Sequence, residues 1–469
     1  MWLRTSIGLL REYPVQRRRI LSTARKMSSD PKNLIVVISG PTGVGKSDVA
    51  AHLCAIQKGM IVSADSVQAY HGVQVGANKP SAEERKETPH LLIDVADCTE
   101  NYNAADWRED AIFAIQSLLN QMENITGQDT TRRQGIQDTI DQARLEKGYA
   151  SEEPLLPVVC GGTMMYLQWL VRGRPDAVRP SEIAVQKAQE IVSVFQEKED
   201  WGGAEAHVSS MGEVFATRVS QLCDGDWYRL RRTMEVAYTV LDEVNKDDLI
   251  EKLYTGERAG GLDSLGYDVR CFFLCPDDRM SHTKVVDRRC EEMLIRGLLK
   301  ETADLSLSGG MPDMATRAIG YRQTLDYLNR EDACSNEEEA FGLFLNDFTT
   351  ATRRYAKKQM SWFRKDKDFL FVPVSLSATK KDRVDSAASA IQELCKLSRE
   401  DYESKSDGES SLSSQTKKRN EEQGAKMKLY QPERHILKPG SKELDAALVE
   451  ATECTNRMQA KKPRMAVEK

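Results

Sequence analysis

The sequence predicts an α/β fold: a parallel sheet flanked by helices, with a helical insertion subdomain. Short apolar runs alternate with stretches of helical spacing, the pattern of buried parallel strands and their crossovers. Directly after the first run, Gly40-Pro-Thr-Gly-Val-Gly-Lys-Ser47 satisfies G-x-x-x-x-G-K-[ST] at every fixed position, so the core is expected to be P-loop NTPase-like. Residues from about 180 to 262 read as mainly helical, with few β-branched runs.

Residues 1–27 carry Arg4, Arg11, Arg17, Arg18, Arg19, Arg25 and Lys26, with Glu12 the single acid. Arg-rich, Ser/Thr-bearing and acid-poor, this stretch reads as an organellar transit peptide, mitochondrial or plastid. A basic arm that touches RNA is the other reading. Met27, followed by Ser28-Ser29-Asp30, offers a second start and a cytosolic form.

The first part of the catalytic core covers 28–178. Leu34–Ser39 (LIVVIS) reads as a buried strand and Asp48–Ile56 as the helix behind the loop. Met60–Asp65 and Leu91–Asp94 read as short strands, and His90 as a residue that only ends one. Ala104–Met122 sets Ile112, Ile115, Leu118 and Leu119 on one helical face. The polar segment 123–153 shows no clear core face and reads as a surface insertion. Leu155–Cys160 is a further strand, ending at Gly161-Gly162. The helical insertion spans 179–262 and the second part of the core 263–397, with strands at Arg270–Cys275 and Phe369–Val374. From 398 to 469 the composition turns Ser-, Lys- and Glu-rich, and this tail is expected to bury too little surface to order itself.

With 469 residues, net charge −6 and 40% hydrophobic content, the chain can build one large or two medium cores. It has no apolar run of the roughly 18 residues a membrane span needs. Its ten cysteines are scattered, and Cys271 and Cys275 have no His or second pair nearby, which argues against zinc and for a reduced compartment. Mild acidity confines any nucleic-acid site to a local basic patch.

A strand–loop–helix unit of this kind aims backbone N–H groups and a helix N-terminus at phosphates. Gly40, Thr42, Gly43, Val44 and Gly45 would form the cradle, Lys46 would neutralise the outer phosphate, and the Ser47 hydroxyl would hold Mg²⁺. The loop does not say which phosphates it holds. The two strings of a GTPase switch are better read as accidents: Asp263-Ser-Leu-Gly266 follows Asn245-Lys-Asp-Asp248 rather than preceding it, and the latter trails a helical stretch. A small-molecule kinase stays open, with Asp65 as its acid.

The remaining motifs narrow the choice. They are Val62-Ser-Ala-Asp-Ser-Val-Gln-Ala-Tyr70, Gly76-Ala-Asn-Lys-Pro80, Pro89-His-Leu-Leu-Ile-Asp94, Cys160-Gly-Gly-Thr-Met-Met-Tyr166, Asp226-Trp-Tyr-Arg-Leu-Arg-Arg232, Arg317-Ala-Ile-Gly-Tyr321 and Thr352-Arg-Arg-Tyr-Ala-Lys-Lys-Gln-Met-Ser-Trp-Phe363. In this order they resemble the tRNA dimethylallyltransferase (isopentenyltransferase) family, over roughly residues 34 to 375. The resemblance implies transfer of a dimethylallyl group from dimethylallyl diphosphate to N6 of adenosine 37 in tRNAs. The loop would then grip the donor's diphosphate, with Mg²⁺ as cofactor. It further implies Asp65 as general base, Thr42 near the leaving oxygen, and Arg289 of Asp287-Arg-Arg-Cys-Glu-Glu-Met-Leu294 on the diphosphate.

By the same resemblance Asp65, Ser66, Val67, Gln68 and Thr163 contact the flipped adenosine, and Tyr228, Arg229, Arg231 and Arg232 the surrounding RNA. For the arginines a solvated helix face with ion pairs is the plain alternative. For Asp65 it is a structural acid capping the next helix or binding Mg²⁺ through water. Arg353, Arg354, Lys357, Lys358, Arg364 and Lys365 flank Trp362 and Phe363, which suits RNA, although a helix with those aromatics in the core fits equally. Ala77 stands where family members usually carry Thr, the 123–153 segment is longer than the family connection, and the tail lacks the zinc finger of several eukaryotic relatives. An adenylate isopentenyltransferase acting on free AMP, ADP or ATP is the nearest alternative. The expected partners are a tRNA anticodon stem-loop and the prenyl donor, with no membrane, and the protein is expected to be a monomer.

Overall fold

The computed structural model describes residues 33–121, 130–175, 178, 180–244, 246–253, 258–330, 336–409, 422–425, 427 and 430–461. The expected leader and the Met27 start lie outside these residues.

β1 (Leu34–Ser39) passes through the phosphate loop into α1 (Lys46–Gln57), then β2 (Gly59–Ser63), α2 (Ala82–Glu87), β3 (His90–Leu91), α3 (Ala104–Leu118), α4 (Thr130–Lys147), β4 (Leu156–Cys160) and α5 (Met164–Arg172). A two-residue antiparallel ladder, β5 (Arg174–Pro175) on β6 (Arg258–Ala259), closes the neck of an all-helical excursion. That excursion is α6 (Glu182–Glu197), α7 (Trp201–Ser209), α8 (Glu213–Val219), α9 (Trp227–Leu241) and α10 (Lys246–Lys252). The chain then returns through β7 (Asp268–Pro276), α11 (Arg279–Ile295), α12 (Leu298–Ser308), α13 (Asp313–Arg317), α14 (Tyr321–Leu328), α15 (Glu337–Phe363), β8 (Phe369–Val374), α16 (Lys380–Cys395), α17 (Arg399–Glu409) and α18 (Lys442–Lys461).

The main sheet has six strands in the order β3-β2-β4-β1-β7-β8, all parallel. β1 and β7 alternate with period two between two cores. Ile35, Val37, Cys271 and Phe273 face the side covered by α3, α5, α11 and α15. Val36, Ile38, Phe272 and Leu274 face α1 and α16. Both faces are buried, so the strands read as continuous apolar runs. The helical excursion has its own core, with Phe215, Leu230, Met234 and Val240 at its centre. Because the strands are parallel, their carboxyl ends share one edge, where open α/β sheets hold ligands.

Four expectations need correction. The second strand stops at Ser63, which leaves Asp65 in the turn that follows. The third strand starts rather than ends at His90 and spans only His90–Leu91, because Leu92 and Asp94 take positive φ (62° and 56°) and break the ladder. The 123–153 segment is not coreless: α4 buries Ile136, Ile140 and Ala143 against the rest of the domain, and Arg144 donates to the carbonyls of Ala150 and Glu153. The tail is not devoid of order either. The Tyr402 hydroxyl accepts the Cys271 amide at 2.8 Å and donates to its carbonyl at 3.0 Å, and α18 buries Leu444, Ala447, Ala451, Cys454 and Met458 in the main core.

Candidate active site

Three loops meet at the carboxyl edge of the sheet. The phosphate loop follows β1, the Asp65 turn follows β2, and Gly161-Gly162-Thr163 follows β4. Backbone hydrogen bonds join them: Gly161 N–H donates to Ile38 at 3.2 Å, Ala64 N–H to Cys160 at 2.9 Å, and Thr163 N–H to Ala64 at 3.2 Å. Gly161 is required by space. A Cβ there would lie 2.1 Å from the Ala64 carbonyl oxygen, well inside contact distance.

The phosphate loop turns through glycines at positive φ, Gly43 at 81° and Gly45 at 96°, where a side chain would be strained. Gly45 is the N-cap of α1, so the helix N-terminus faces the loop's interior. Lys46 folds back on the loop, its Nζ donating to Gly40 O at 2.9 Å and Pro41 O at 3.1 Å. Burial lowers its pKa to about 8; Arg289 acts in the same direction, while Cys160 and Asp65 oppose it. Burial also lowers Arg289, and Asp65 again opposes the shift. Lys46, Arg289 and Asp65 therefore feel one another's charge in one site. Ser47 is exposed at the first turn of α1.

Asp65 holds its turn by accepting the Val67 and Gln68 amides at 2.9 and 3.3 Å, both on Oδ1, which leaves Oδ2 without a hydrogen-bond partner among the described residues. The Ser66 amide donates to Thr163 Oγ1 at 3.2 Å. Gln68 is fixed at both ends of its amide: Oε1 accepts from Ser63 Oγ, and Nε2 donates to the carbonyls of Ala77 and Asn78 at 3.1 and 3.2 Å. At position 77 the backbone makes this contact, so the loss of a Thr hydroxyl there leaves it intact. Asp65, Ser66, Val67, Gln68 and Thr163 thus form one cluster beside the phosphate loop.

Tyr228, Arg229, Arg231 and Arg232 lie on the first turns of α9, outside that cluster. Tyr228 is 57% exposed. Arg229 pairs with Asp226, while Arg231 and Arg232 pair with Glu235, so these arginines form an ion-paired helix face. On α15 the aromatics belong to the core: Phe363 is fully buried and packs on Phe273 and Phe369, with Trp362 edge-on beside it. Arg353 is taken by Asp287 at 2.7 Å, which removes it from any RNA-facing group. Arg354, Lys357, Lys358, Arg364 and Lys365 stay exposed.

Sequence reasoning missed two residues that brace the phosphate loop. Gln359 Oε1 accepts the Thr42 amide at 3.0 Å and its Nε2 donates to Gly162 O at 3.1 Å. His282 Nε2 donates to Thr42 O at 2.8 Å, and burial lowers the pKa of that ring. Gln359 lies among the basic and aromatic residues of 352–363, and a lone amide there carries no sequence signal of its own. Tyr166, stacked on Trp107 with centroids 4.5 Å apart, has a buried hydroxyl with no hydrogen-bond partner among the described residues. Burial pushes the pKa of that hydroxyl up, and the Asp65 carboxylate acts in the same direction.

The sequence matches the family model for IPP transferase over residues 68–126 and 141–366. It is 34% identical over 365 residues to "tRNA dimethylallyltransferase 9" of Arabidopsis thaliana, covering 72% of this chain and 71% of that one. It is 31% identical over 346 residues to a tRNA dimethylallyltransferase of Protochlamydia amoebophila, covering 74% and 85%. The solved structure of a eukaryotic dimethylallyltransferase acting on tRNA shares the fold, with a TM-score of 0.50 and 20% identity over 76% of this chain and 77% of that one.

Proposed function

The chain belongs to the IPP transferase family, and on that premise we propose that it transfers the dimethylallyl group of dimethylallyl diphosphate to N6 of adenosine 37 in tRNAs, giving N6-isopentenyladenosine. The observation that carries this reading is the joining of the Asp65 turn, through the Gly161–Thr163 segment, to the end of β1 and by way of Gln359 to Thr42 of the phosphate loop. A diphosphate in the cradle and a purine on the Asp65–Gln68 turn would meet at that junction.

The chemistry follows from the residues. The allylic C–O bond of the donor breaks, its electron pair leaves with the diphosphate, and the N6 lone pair forms the new C–N bond. Lys46 turns from its own loop carbonyls to the diphosphate, and Arg289 and the loop amides stabilise the growing negative charge. The N6 amine is a weak nucleophile because its lone pair is delocalised into the ring. Asp65 Oδ2 takes the N6 proton as attack proceeds, while the Oδ1 bonds hold the carboxylate still. An adenosine inside the anticodon stack reaches this turn only when it is flipped out. Gln68 and Thr163 would read its edge, and α9 would carry the surrounding RNA.

The donor set suits Mg²⁺ held mainly by substrate. Ser47 offers one hydroxyl, and the described residues contain no cluster of three His, Cys, Asp or Glu that could bind a metal alone. When bound, Mg²⁺ would offset charge on the leaving diphosphate.

Incubating the protein with dimethylallyl diphosphate, Mg²⁺ and either tRNA or AMP tests the reading. Prenylated tRNA is expected; modification of AMP but not tRNA overturns it in favour of an adenylate enzyme. We also propose that residues 1–27 direct an organellar form and Met27 starts a cytosolic one. A fluorescent fusion of 1–27 that stays in the cytosol would refute that.

A further inference from the structure

The tail that composition marks as unstructured returns to the catalytic core at one helix. α11 presents two opposite faces. His282, Val285, Val286 and Arg289 lie on the phosphate-loop side: His282 bonds Thr42 O, and Val285 and Val286 bracket the space above Gly43. Asp287 and Glu291, one turn apart, lie on the far side, since residues two apart on a helix point in nearly opposite directions. Both acids are almost wholly buried.

The C-terminal segment satisfies both. Glu291 accepts the backbone amides of His435, Ile436 and Leu437 at 2.9, 2.6 and 2.8 Å. Asp287 accepts the Tyr430 hydroxyl and, at 2.7 Å, Arg353. α18 then clamps the next helix, with Glu450 accepting the Lys300 amide at 3.0 Å and Arg457 pairing with Asp304 at 2.6 Å. Leu437 and Leu444 are sealed in the main core, which anchors the segment beyond its polar contacts. A buried carboxylate left without these donors would move toward water and rotate α11 with it.

We propose that residues 430–461 form a strap that positions α11 against the phosphate loop, so that Arg289 is set for the donor's diphosphate, with Tyr430 and Glu291 as positioning residues. The strap acts through Arg289 and touches no substrate. It lies beyond the part of the chain that matches the family model, which ends at 366. The inference rests on the diphosphate reading of the loop.

The test measures binding of Mg²⁺-pyrophosphate by calorimetry, and steady-state kinetics with donor and tRNA, for full-length Glu291→Gln and Tyr430→Phe. Thermal unfolding identifies any variant that fails to fold; Tyr430→Phe removes one hydroxyl and keeps the ring. Glu291→Gln is expected to weaken pyrophosphate about tenfold and Tyr430→Phe about threefold, as loss of bonds to a charged group does. KM for donor should rise and KM for tRNA stay unchanged. In an Arg289→Ala background the same substitutions should add almost nothing, the signature of action through that residue. Additive losses, a tRNA-only effect, or unchanged pyrophosphate affinity in folded variants would overturn the strap. Failure of the wild-type chain to bind pyrophosphate would instead overturn the diphosphate reading, so the two can be told apart.

Discussion

Gln359 is hydrogen-bonded to Thr42 across 317 positions of sequence, its Oε1 accepting the Thr42 amide at 3.0 Å. The same side chain donates to Gly162 O, so one amide ties the loop after β1 to the loop after β4. It is almost completely buried, where an unmade hydrogen bond costs about 1–3 kcal/mol.

Gln359→Ala therefore strands the Thr42 amide and leaves Gly162 O with the Tyr355 hydroxyl, at 3.3 Å, as its remaining donor. It is expected to lower stability by roughly 1–3 kcal/mol and raise KM for the prenyl donor, because the loop amides lose their fixed direction. Gln359→Met fills the same space without either polar group, so it separates the lost hydrogen bonds from lost packing. Denaturant unfolding and donor kinetics of both variants check this. A Gln359→Met protein as stable as wild type, with unchanged KM for donor, would show that the Thr42 bond is irrelevant.

Asp65→Asn separates structure from chemistry. Its Oδ1 still accepts the Val67 and Gln68 amides, so the turn is expected to survive. The amide cannot take a proton from N6. Single-turnover transfer should fall about 10²- to 10⁴-fold while tRNA affinity changes little. A rate within threefold of wild type would remove Asp65 from the base role.

Lys46 makes stability depend on pH in an unusual direction. Its ordinary value is 10.5, and burial lowers it to about 8 in the folded protein. Between those values the unfolded chain holds a proton that the folded chain lacks, so folding releases it and stability rises with pH. Below about pH 8 both states are charged and the full penalty of burying the ammonium applies. Lys46→Met should therefore be more stable than wild type at pH 7, by roughly 1–3 kcal/mol once partial exposure is allowed for. The gap should close by pH 10.5, while the variant loses donor turnover. In the wild type, kcat/KM for donor should decline above about pH 8 as the free enzyme's ammonium is lost. Urea unfolding of both proteins from pH 6 to 11 reads the first effect, and a pH profile the second.

The loop, the Asp65 turn and the sheet were legible because each is local: a glycine pattern, an acid after an apolar run, strands about five residues long. Gln359 and His282 were not, since their roles exist only where α15 and α11 cross the phosphate loop. The tail was misread for a different reason. Leu444, Ala447, Leu448, Ala451, Cys454 and Met458 recur at three- and four-residue spacing, a helix signal that the Ser- and Lys-rich stretch before it diluted. α4 hid likewise, with one apolar residue per turn at Ile136, Ile140 and Ala143.

Glu301 braces the loop beside Gln68, the side proposed to read the purine. Its carboxylate accepts the amides of Gln74, Val75 and Gly76 at 3.1, 2.7 and 3.0 Å, and also the Tyr321 hydroxyl. Gly76 lies so close to Tyr321 that a Cβ would sit 2.3 Å from the ring. The loop they hold presents the Ala77 and Asn78 carbonyls to Gln68. Glu301→Gln puts an amide N–H₂ among amide donors and leaves some of them unpaired. Gln68 should then lose its fixed orientation. KM for tRNA is expected to rise about tenfold, with KM for donor unchanged, the opposite split from the strap variants. Glu301→Asp, which keeps the charge, should recover part of that loss. If donor KM rose instead, the loop would be serving the phosphate site and not the base.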